Sequence, residues 1–372
     1  MRLERIRIRD FRNIPAAEIV FRSRRVVVLG DNGQGKTNLL EALHLLCLTR
    51  AFRTTRMRQL LRQPRDPVGG APEAFLVEGD FATSRRGLRQ ARAQFRDGVL
   101  VFELDGNRCR GRDYFGQLPL VLLSPESLDV SQGGPEARRR TLDRLMSAAS
   151  PLYLDQLLRY QRALRQRSAL LIQQGPQDDG TAVWEEGLAR HGLELTRRRR
   201  SFVDGLAARV AEIHRRHFHP QGAFGLGYEA SLDEGLDAAA AQAAWAADRE
   251  GDARRGWTRR GPHRDELPVL LDGLPLRHFG SQGQHKLFML CLTLAETELL
   301  KEMTGEAPLL LLDDLFGLLD DDKIRALAEA VDAEVQVIIS TTSLRHVDLL
   351  ARGAGDGAQV LHCAGGTFRG EA

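Results

Sequence analysis

"GDNGQGKTN", residues 30 to 38, decides the fold. It stands between an apolar run, "RVVVLG" (25–30), and a second, "LLEALHLLCL" (39–48), and packs three glycines, one of only four lysines and a threonine into eight positions. Gly30, Gly35, Lys36 and Thr37 satisfy G-x-x-x-x-G-K-[ST], with Asp31, Asn32, Gly33 and Gln34 between them and Asn38 just beyond. Glycines at these positions let backbone N–H groups wrap phosphate oxygens at a helix N-terminus. The lysine then reaches the β and γ phosphates, and the threonine hydroxyl can ligate Mg²⁺. Period-two apolarity before the loop and a helical run from Lys36 to Leu48 after it supply the strand, loop and helix this chemistry needs. The expected ligand is ATP with Mg²⁺.

A metal partner should come from an apolar strand that ends in acid. "LLLLDD", Leu309 to Asp314, is such a strand: Asp313 is expected to hold Mg²⁺, and Asp314 to orient or deprotonate the attacking water. "SQGQHK", Ser281 to Lys286, opens a helix about thirty residues earlier, and "GLLD" ends at Asp320 shortly afterwards. Serine and glycine at a helix start also make an ordinary N-cap. The order of the motifs, however, is that of an ATP-binding-cassette head: phosphate loop, long insertion, Ser281-x-Gly283-Gln284, acidic strand, Asp320.

The net charge of +3 conceals a strong asymmetry. Residues 1 to 219 carry 39 basic against 25 acidic side chains, a surplus of 14, and residues 220 to 372 carry 14 against 25. Nearly all the basic surplus is arginine, whose forked donors suit phosphate, so a polyanionic partner is expected. No run of eighteen apolar residues occurs, and the N-terminus alternates charge with Leu3, Ile6 and Ile8, which argues against membrane insertion or export. Four cysteines, Cys47, Cys109, Cys291 and Cys363, stand far apart without a CxxC pair, the usage of a reducing cytoplasm.

Strands are expected at "RIRIRDF" (5–11), "AAEIVF" (16–21), "AFLVEGDF" (74–81), "ARAQFR" (91–96) and "VLVFELDG" (99–106), with "DGNR" (105–108) a hairpin turn. From Pro135 the pattern turns helical. Leu157, Leu164 and Leu171 recur every seven residues, as do Leu188, Leu195 and Phe202, and "GPQDDG" (175–180) breaks the two series. That pattern fits an antiparallel pair of helices, either a short coiled coil or a packed subdomain. The expected fold is α/β: an ATP-binding-cassette head of SMC type from residues 1–124 and 220–372, interrupted by a short helical arm lobe at 125–219.

Taken together the chain resembles the RecF family, whose heads are related to SMC-type ATPases. Beyond the nucleotide motifs, the resemblance rests on "RDFRNI" (9–14), "RAFR" (50–53), "LLSPESLDVSQGGPEARRRTLDRLMSAASPLY" (122–153) and "GPHRDEL" (261–267). It implies an ATP-dependent homodimer in which Ser281 and Gly283 of one head cap the γ-phosphate held by the other. It further implies slow DNA-stimulated ATP hydrolysis, binding to duplex DNA, gaps or single/double-strand junctions, and partnership with RecR, together with RecO, in recombinase loading. Arg12 and Asn13 of "FRN" correspond to residues that approach the phosphates in SMC-type heads. Three departures stand out. Leu318 replaces a usual glutamate, Ser340 to Thr342 ("STT") fill the position of a switch histidine, and Ser124-Pro125-Glu126 stands where a lobe-coupling glutamine is expected. The competing readings are a scaffold with a vestigial nucleotide site, which the intact Lys36, Asp313 and Asp314 oppose, and a transporter ATPase subunit, which the 244 residues between Thr37 and Ser281 oppose.

Overall fold

The computed structural model describes residues 1–63, 72–218, 222–233, 235–314, 321–343, 345 and 357–370. They fold as two units, one comprising Met1–Leu128, Ile213–Pro220 and Ser281–Ala372, the other Asp129–Glu212 and Gln221–Gly280.

The first unit is built on two sheets. One is antiparallel, with strands in the order Ile14–Val20, Arg2–Phe11, Ala74–Thr83, Gly87–Arg96, Val99–Leu104, Asn107–Cys109. Its alternation is plain in the first strands, where Leu3, Ile6, Ile8 and Phe11 face the core, while the outer face carries cross-strand ion pairs such as Arg5 and Arg7 with Glu18, and Arg92 with Glu78 and Glu103. The "DGNR" turn forms as expected: Leu104 pairs with Asn107, and Asp105 and Gly106 between them both take positive φ (52° and 77°), as a two-residue hairpin requires.

The other sheet runs Thr367–Gly370, Gln359–Ala364, Arg25–Leu29, Gln336–Thr341, Leu309–Asp313, Leu120–Leu123, with only the first strand antiparallel. Every residue of Arg25–Leu29, Gln336–Thr341 and Leu309–Asp313 is buried, which explains their unbroken apolar runs. The helix Lys36–Leu48 packs against strands of both sheets and is buried on nearly every side, so it shows no polar face. Parallel strands place their carboxyl ends together. The loops after Leu29, Thr341, Asp313 and Leu123 therefore leave the sheet at one end, where α/β sheets bind ligands.

In the second unit, Pro151–Gln173 runs antiparallel to the helix Thr181–His217, whose last turn from Ile213 belongs to the first unit. The contacts fix the direction: Arg167 meets Glu185, Gly187 lies against Ala163, Gly192 against Tyr160, and Arg199 bonds Tyr153. Leu157, Leu188 and Leu195 enter one core with Trp245, Tyr228 and Leu267, and Leu164 and Phe202 pack against it, so the heptads mark a packed subdomain and not a protruding coiled coil. The alanine-rich helix Ala238–Ala247 contributes Ala241 and the fully buried Trp245 to that core. For the same reason residues 221–280, assigned to the head on sequence grounds, group with the helices. Arg167, fully buried, donates to Glu185, Asp252, Thr258 and the carbonyl of Trp245, three of them from this segment.

Candidate functional site

The loop between Leu29 and Lys36 has the backbone its glycines allow. Gly33 and Gly35 take φ of 78° and 121°, and a Cβ on Gly35 would lie 2.8 Å from the Asn13 side chain; one on Gly30 would lie 2.3 Å from the carbonyl of Cys363. Lys36, almost wholly buried, reaches back so that Nζ donates to the carbonyls of Gly30 (2.7 Å) and Asp31 (2.9 Å). Among the described residues its ammonium makes no ion pair, an arrangement that leaves a buried cation ready for an anion brought from outside. Asp31, Asn32 and Gly33 form the exposed rim, while Gln34 is tied down: its carbonyl accepts from Gly366 (2.8 Å) and its side-chain oxygen from Gly365 (2.7 Å). The sequence reading missed this support, although "AGGT" between two short apolar runs is a hairpin signal.

Opposite the loop, the register of the parallel sheet sets Asp313 beside Ser340. Thr37 Oγ1 donates to Asp313 Oδ1 at 3.0 Å, and Ser340 Oγ donates to the same oxygen at 2.6 Å. Ser340 Oγ also accepts the amide of Asp314 at 2.9 Å, so one buried hydroxyl spans both acids. Asp314 is exposed with φ of 46°, a left-handed conformation that residues with a side chain rarely take. Burial pushes the Asp313 carboxyl above its ordinary value; the Ser340 and Thr37 hydroxyls oppose this, and the charges of Glu126 and Asp314 add to it. Glu126, in the turn Pro125–Leu128 that follows the neighbouring strand, is thus close enough to act on Asp313.

Arg12 and Asn13 serve the loop's frame. Arg12 donates through Nε (2.8 Å) and Nη2 (3.1 Å) to both oxygens of the fully buried Glu41, and Arg53 of "RAFR" reaches the same carboxylate. Asn13 Nδ2 donates to the Gln34 carbonyl (3.0 Å), and its oxygen accepts from Asn38 (2.8 Å). Two motifs from distant parts of the sequence therefore converge on Glu41, a residue the sequence reading passed over. Its signal was an acid inside an otherwise apolar helix.

Ser281 caps the helix Gln282–Thr304 in a capping box with Gln284, the serine oxygen accepting the Gln284 amide (3.3 Å) and the Gln284 side chain accepting the Ser281 amide (2.7 Å). Ser281 and Gly283 are exposed and share no hydrogen bond with the phosphate loop. Asp320, like Leu318, lies outside the described residues.

The donor set fits a magnesium triphosphate. A hydroxyl and a carboxylate 3.0 Å apart are hard oxygen ligands, and among the described residues no cluster of three His, Cys, Asp or Glu could hold a metal alone. Magnesium typically takes one or two protein oxygens and completes its shell with phosphate and water.

Comparison with known proteins gives the same picture. Residues 2–353 match the family described as RecF/RecN/SMC N terminal domain. A DNA replication and repair protein RecF of Anaeromyxobacter sp. (strain Fw109-5) is 38% identical over 357 residues, 94% of each chain, and that of Lactococcus lactis subsp. cremoris (strain MG1363) is 33% identical over 100% of this chain and 99% of its own. A solved structure of the recombination mediator protein RecF with ATP, of the RecFOR pathway, superposes with a TM-score of 0.87 at 27% identity, covering 100% of this chain and 99% of that one. An SMC head bound to the C-winged helix domain of ScpA shares the fold (TM-score 0.57, 16% identity). No described helix is long and apolar enough to cross a membrane. On the evidence of its phosphate loop, its acidic strand and these full-length matches, the chain belongs to the RecF family of DNA replication and repair proteins.

Proposed function

We propose that this protein is an ATP-gated DNA-binding protein that acts as a pair of identical chains. The observation that carries the reading is the loop itself, with a buried lysine that has no ion pair among the described residues on one side and Thr37, Asp313, Ser340 and Asp314 linked in one hydrogen-bonded series on the other. Backbone amides of residues 30–37 and Lys36 would hold the triphosphate, Thr37 and Asp313 would hold Mg²⁺, and Asp314 would orient the attacking water. Bound there, Mg²⁺ supplies charge neutralisation at the phosphate oxygens. Asp314 has a carboxylate one methylene shorter than glutamate, which suits slow turnover that times release.

In the same reading Ser281 and Gly283 of one chain, exposed at a helix start, and the half-buried Gln284 complete the site of a second chain, with Asp320 beside them. If the closed pair binds ATP a hundredfold more tightly than the single chain does, saturating nucleotide favours that pair by about 2.7 kcal/mol per site. DNA phosphates would meet exposed head arginines. Many of the arginines in residues 50–112 already pair with carboxylates, such as Arg62 with Asp10 and Arg89 with Asp105. Arg56, Arg58, Arg108 and Arg110 are exposed and have no carboxylate within reach among the described residues. Duplex with a gap or junction is the expected substrate, RecR with RecO the expected partners, and the cytoplasm the expected site of action.

Sedimentation with and without Mg·ATP tests the proposal. The wild-type chain should shift from monomer to dimer on ATP, and Ser281→Arg should still bind ATP yet stay monomeric. A wild type that remains a monomer with ATP bound removes the mechanism.

A further inference from the structure

The segment Asp252–Glu266 has a construction that the nucleotide reading does not use. It carries five arginines, Arg254, Arg255, Arg259, Arg260 and Arg264, around a tryptophan, Trp257, that is 42% exposed. The guanidinium carbon of Arg264 lies 4.0 Å from the Trp257 ring centroid, a stacking distance. Arg259 and Arg260 share Asp248, whereas Arg254, Arg255 and Arg264 have no carboxylate within salt-bridge reach among the described residues. Arg139, whose guanidinium donates to the Asp265 carbonyl at 2.6 Å, is near enough to Arg264 for their charges to repel.

This cationic, aromatic surface is held rigidly from beneath. Between Trp257 and Arg264 the chain is anchored at Thr258, which is 2% exposed and takes a hydrogen bond from the buried Arg167. The Thr258 carbonyl receives His263 Nε2 (2.9 Å) and Arg264 Nε (3.4 Å), and His263 Nδ1 meets the hydroxyl of the buried Tyr160 (2.7 Å). Gly261 takes φ of 123°, and a Cβ there would lie 2.3 Å from that hydroxyl, so the loop passes too close to Tyr160 for any side chain. An exposed indole on a mobile loop would be unremarkable. An indole and a guanidinium stacked at the surface, with arginines that no described carboxylate neutralises beside them and three buried polar groups and a half-buried histidine fixing their loop, form a prebuilt platform.

We propose that Trp257 and Arg264 form a stacking site for an unpaired nucleobase, with Arg254 and Arg255 contacting the flanking phosphates. Paired bases in a duplex are stacked on one another, so the surface can take only an unpaired base, and it does so without reading its identity. The inference rests on the DNA-binding reading above and adds to it a place in the helical unit that tells single-stranded DNA from duplex.

The test uses the full chain with Mg·ATP and two probes, a blunt DNA duplex of two strands and the same duplex with an oligo-dT tail, read by fluorescence anisotropy at one salt concentration. Trp257→Ala should weaken the tailed probe by about tenfold and leave the blunt one unchanged. Trp257→Phe, which keeps a ring, should restore most of the loss, and both variants should bind ATP as the wild type does. Intrinsic tryptophan fluorescence should be quenched by the tail in the wild type and not in Trp257→Ala. Equal affinity of wild type and Trp257→Ala for the tailed probe overturns the proposal and would mark the patch as a protein-docking surface. Equal losses on both probes overturn it too, since the patch would then act through charge alone. A wild type that binds neither probe removes the DNA-binding reading itself.

Discussion

Both units bury charge, and they do so to opposite ends. In the helical unit every deeply buried arginine described is saturated: Arg167 bonds Glu185, Asp252, Thr258 and a carbonyl, while Arg199 bonds Asp143, Tyr153 and the Pro262 carbonyl. In the head, Lys36 is buried against two carbonyls and Asp313 against two hydroxyls, and neither has a partner of opposite charge among the described residues. Burying a charge without a partner is unfavourable, and it persists in a native site where a ligand supplies the partner. The helical unit's network is complete as it stands and stiffens a loop. The head's half-networks are complementary to Mg²⁺ and a triphosphate.

The contrast predicts that removing a buried cation should have different consequences in the two places. Arg167→Met leaves Asp252 and Glu185 buried without their arginine, although Arg249 still holds Glu185, and should destabilise the chain by about 3–5 kcal/mol in urea unfolding. Lys36→Met should change stability by less than about 1 kcal/mol, since only two carbonyls lose a donor, yet lower ATP turnover by about a hundredfold or more. Comparable destabilisation by both would erase the distinction between a structural and a ligand-seeking charge.

The two networks were unequally legible. The head's fold followed from short-range patterns: a glycine loop whose spacing fixes its backbone, apolar runs that only buried parallel strands need, and an Asp-Gly hairpin. Its carboxylates were legible because metal chemistry restricts where they stand. Glu41, Ser340 and the Gly365-Gly366 turn were not, because each acts through partners on other elements: Arg12 and Arg53 for Glu41, the neighbouring strand's Asp313 for Ser340, and Gln34, more than three hundred positions away, for the turn. The helical unit's membership was read wrongly at 221–280 for the same reason. An alanine-rich helix looks like surface until Trp245 is placed beside Arg167, and no local pattern announces a contact between residues 78 apart.

A pH experiment sharpens the comparison in the helical unit. His263 is held down from 6.5 to about 4, first by burial, against the hydrogen bond to Thr258, and then by the charges of Arg264, Arg139 and Arg199. With the folded value depressed, the unfolded chain takes up a proton before the folded one does. Stability is therefore full above about pH 6.5 and falls as the pH drops towards 4, by up to about 3 kcal/mol. Urea midpoints for the wild type and His263→Gln should converge or cross over that window, the variant lacking this part of the acid sensitivity. Parallel curves would show that His263 is not buried neutral.

The smallest effect expected is also the most specific to the head. Ser340 touches no ligand in the proposed reaction, but its hydroxyl donates to Asp313 and accepts from the amide of Asp314, so it sets the distance between the metal-binding acid and the water-orienting one. Ser340→Ala removes both bonds, frees Asp314 from a left-handed backbone position that one hydroxyl helps to hold, and leaves Lys36 and the loop untouched. ATP binding should survive within about threefold while turnover falls by about tenfold, the scale seen when a group supporting a metal ligand is lost. Ser340→Thr, which keeps the hydroxyl, should recover most of that turnover. If Ser340→Ala lowers ATP affinity and turnover together and threonine rescues neither, the hydroxyl merely fills the strand, and the head's half-network ends at Asp313.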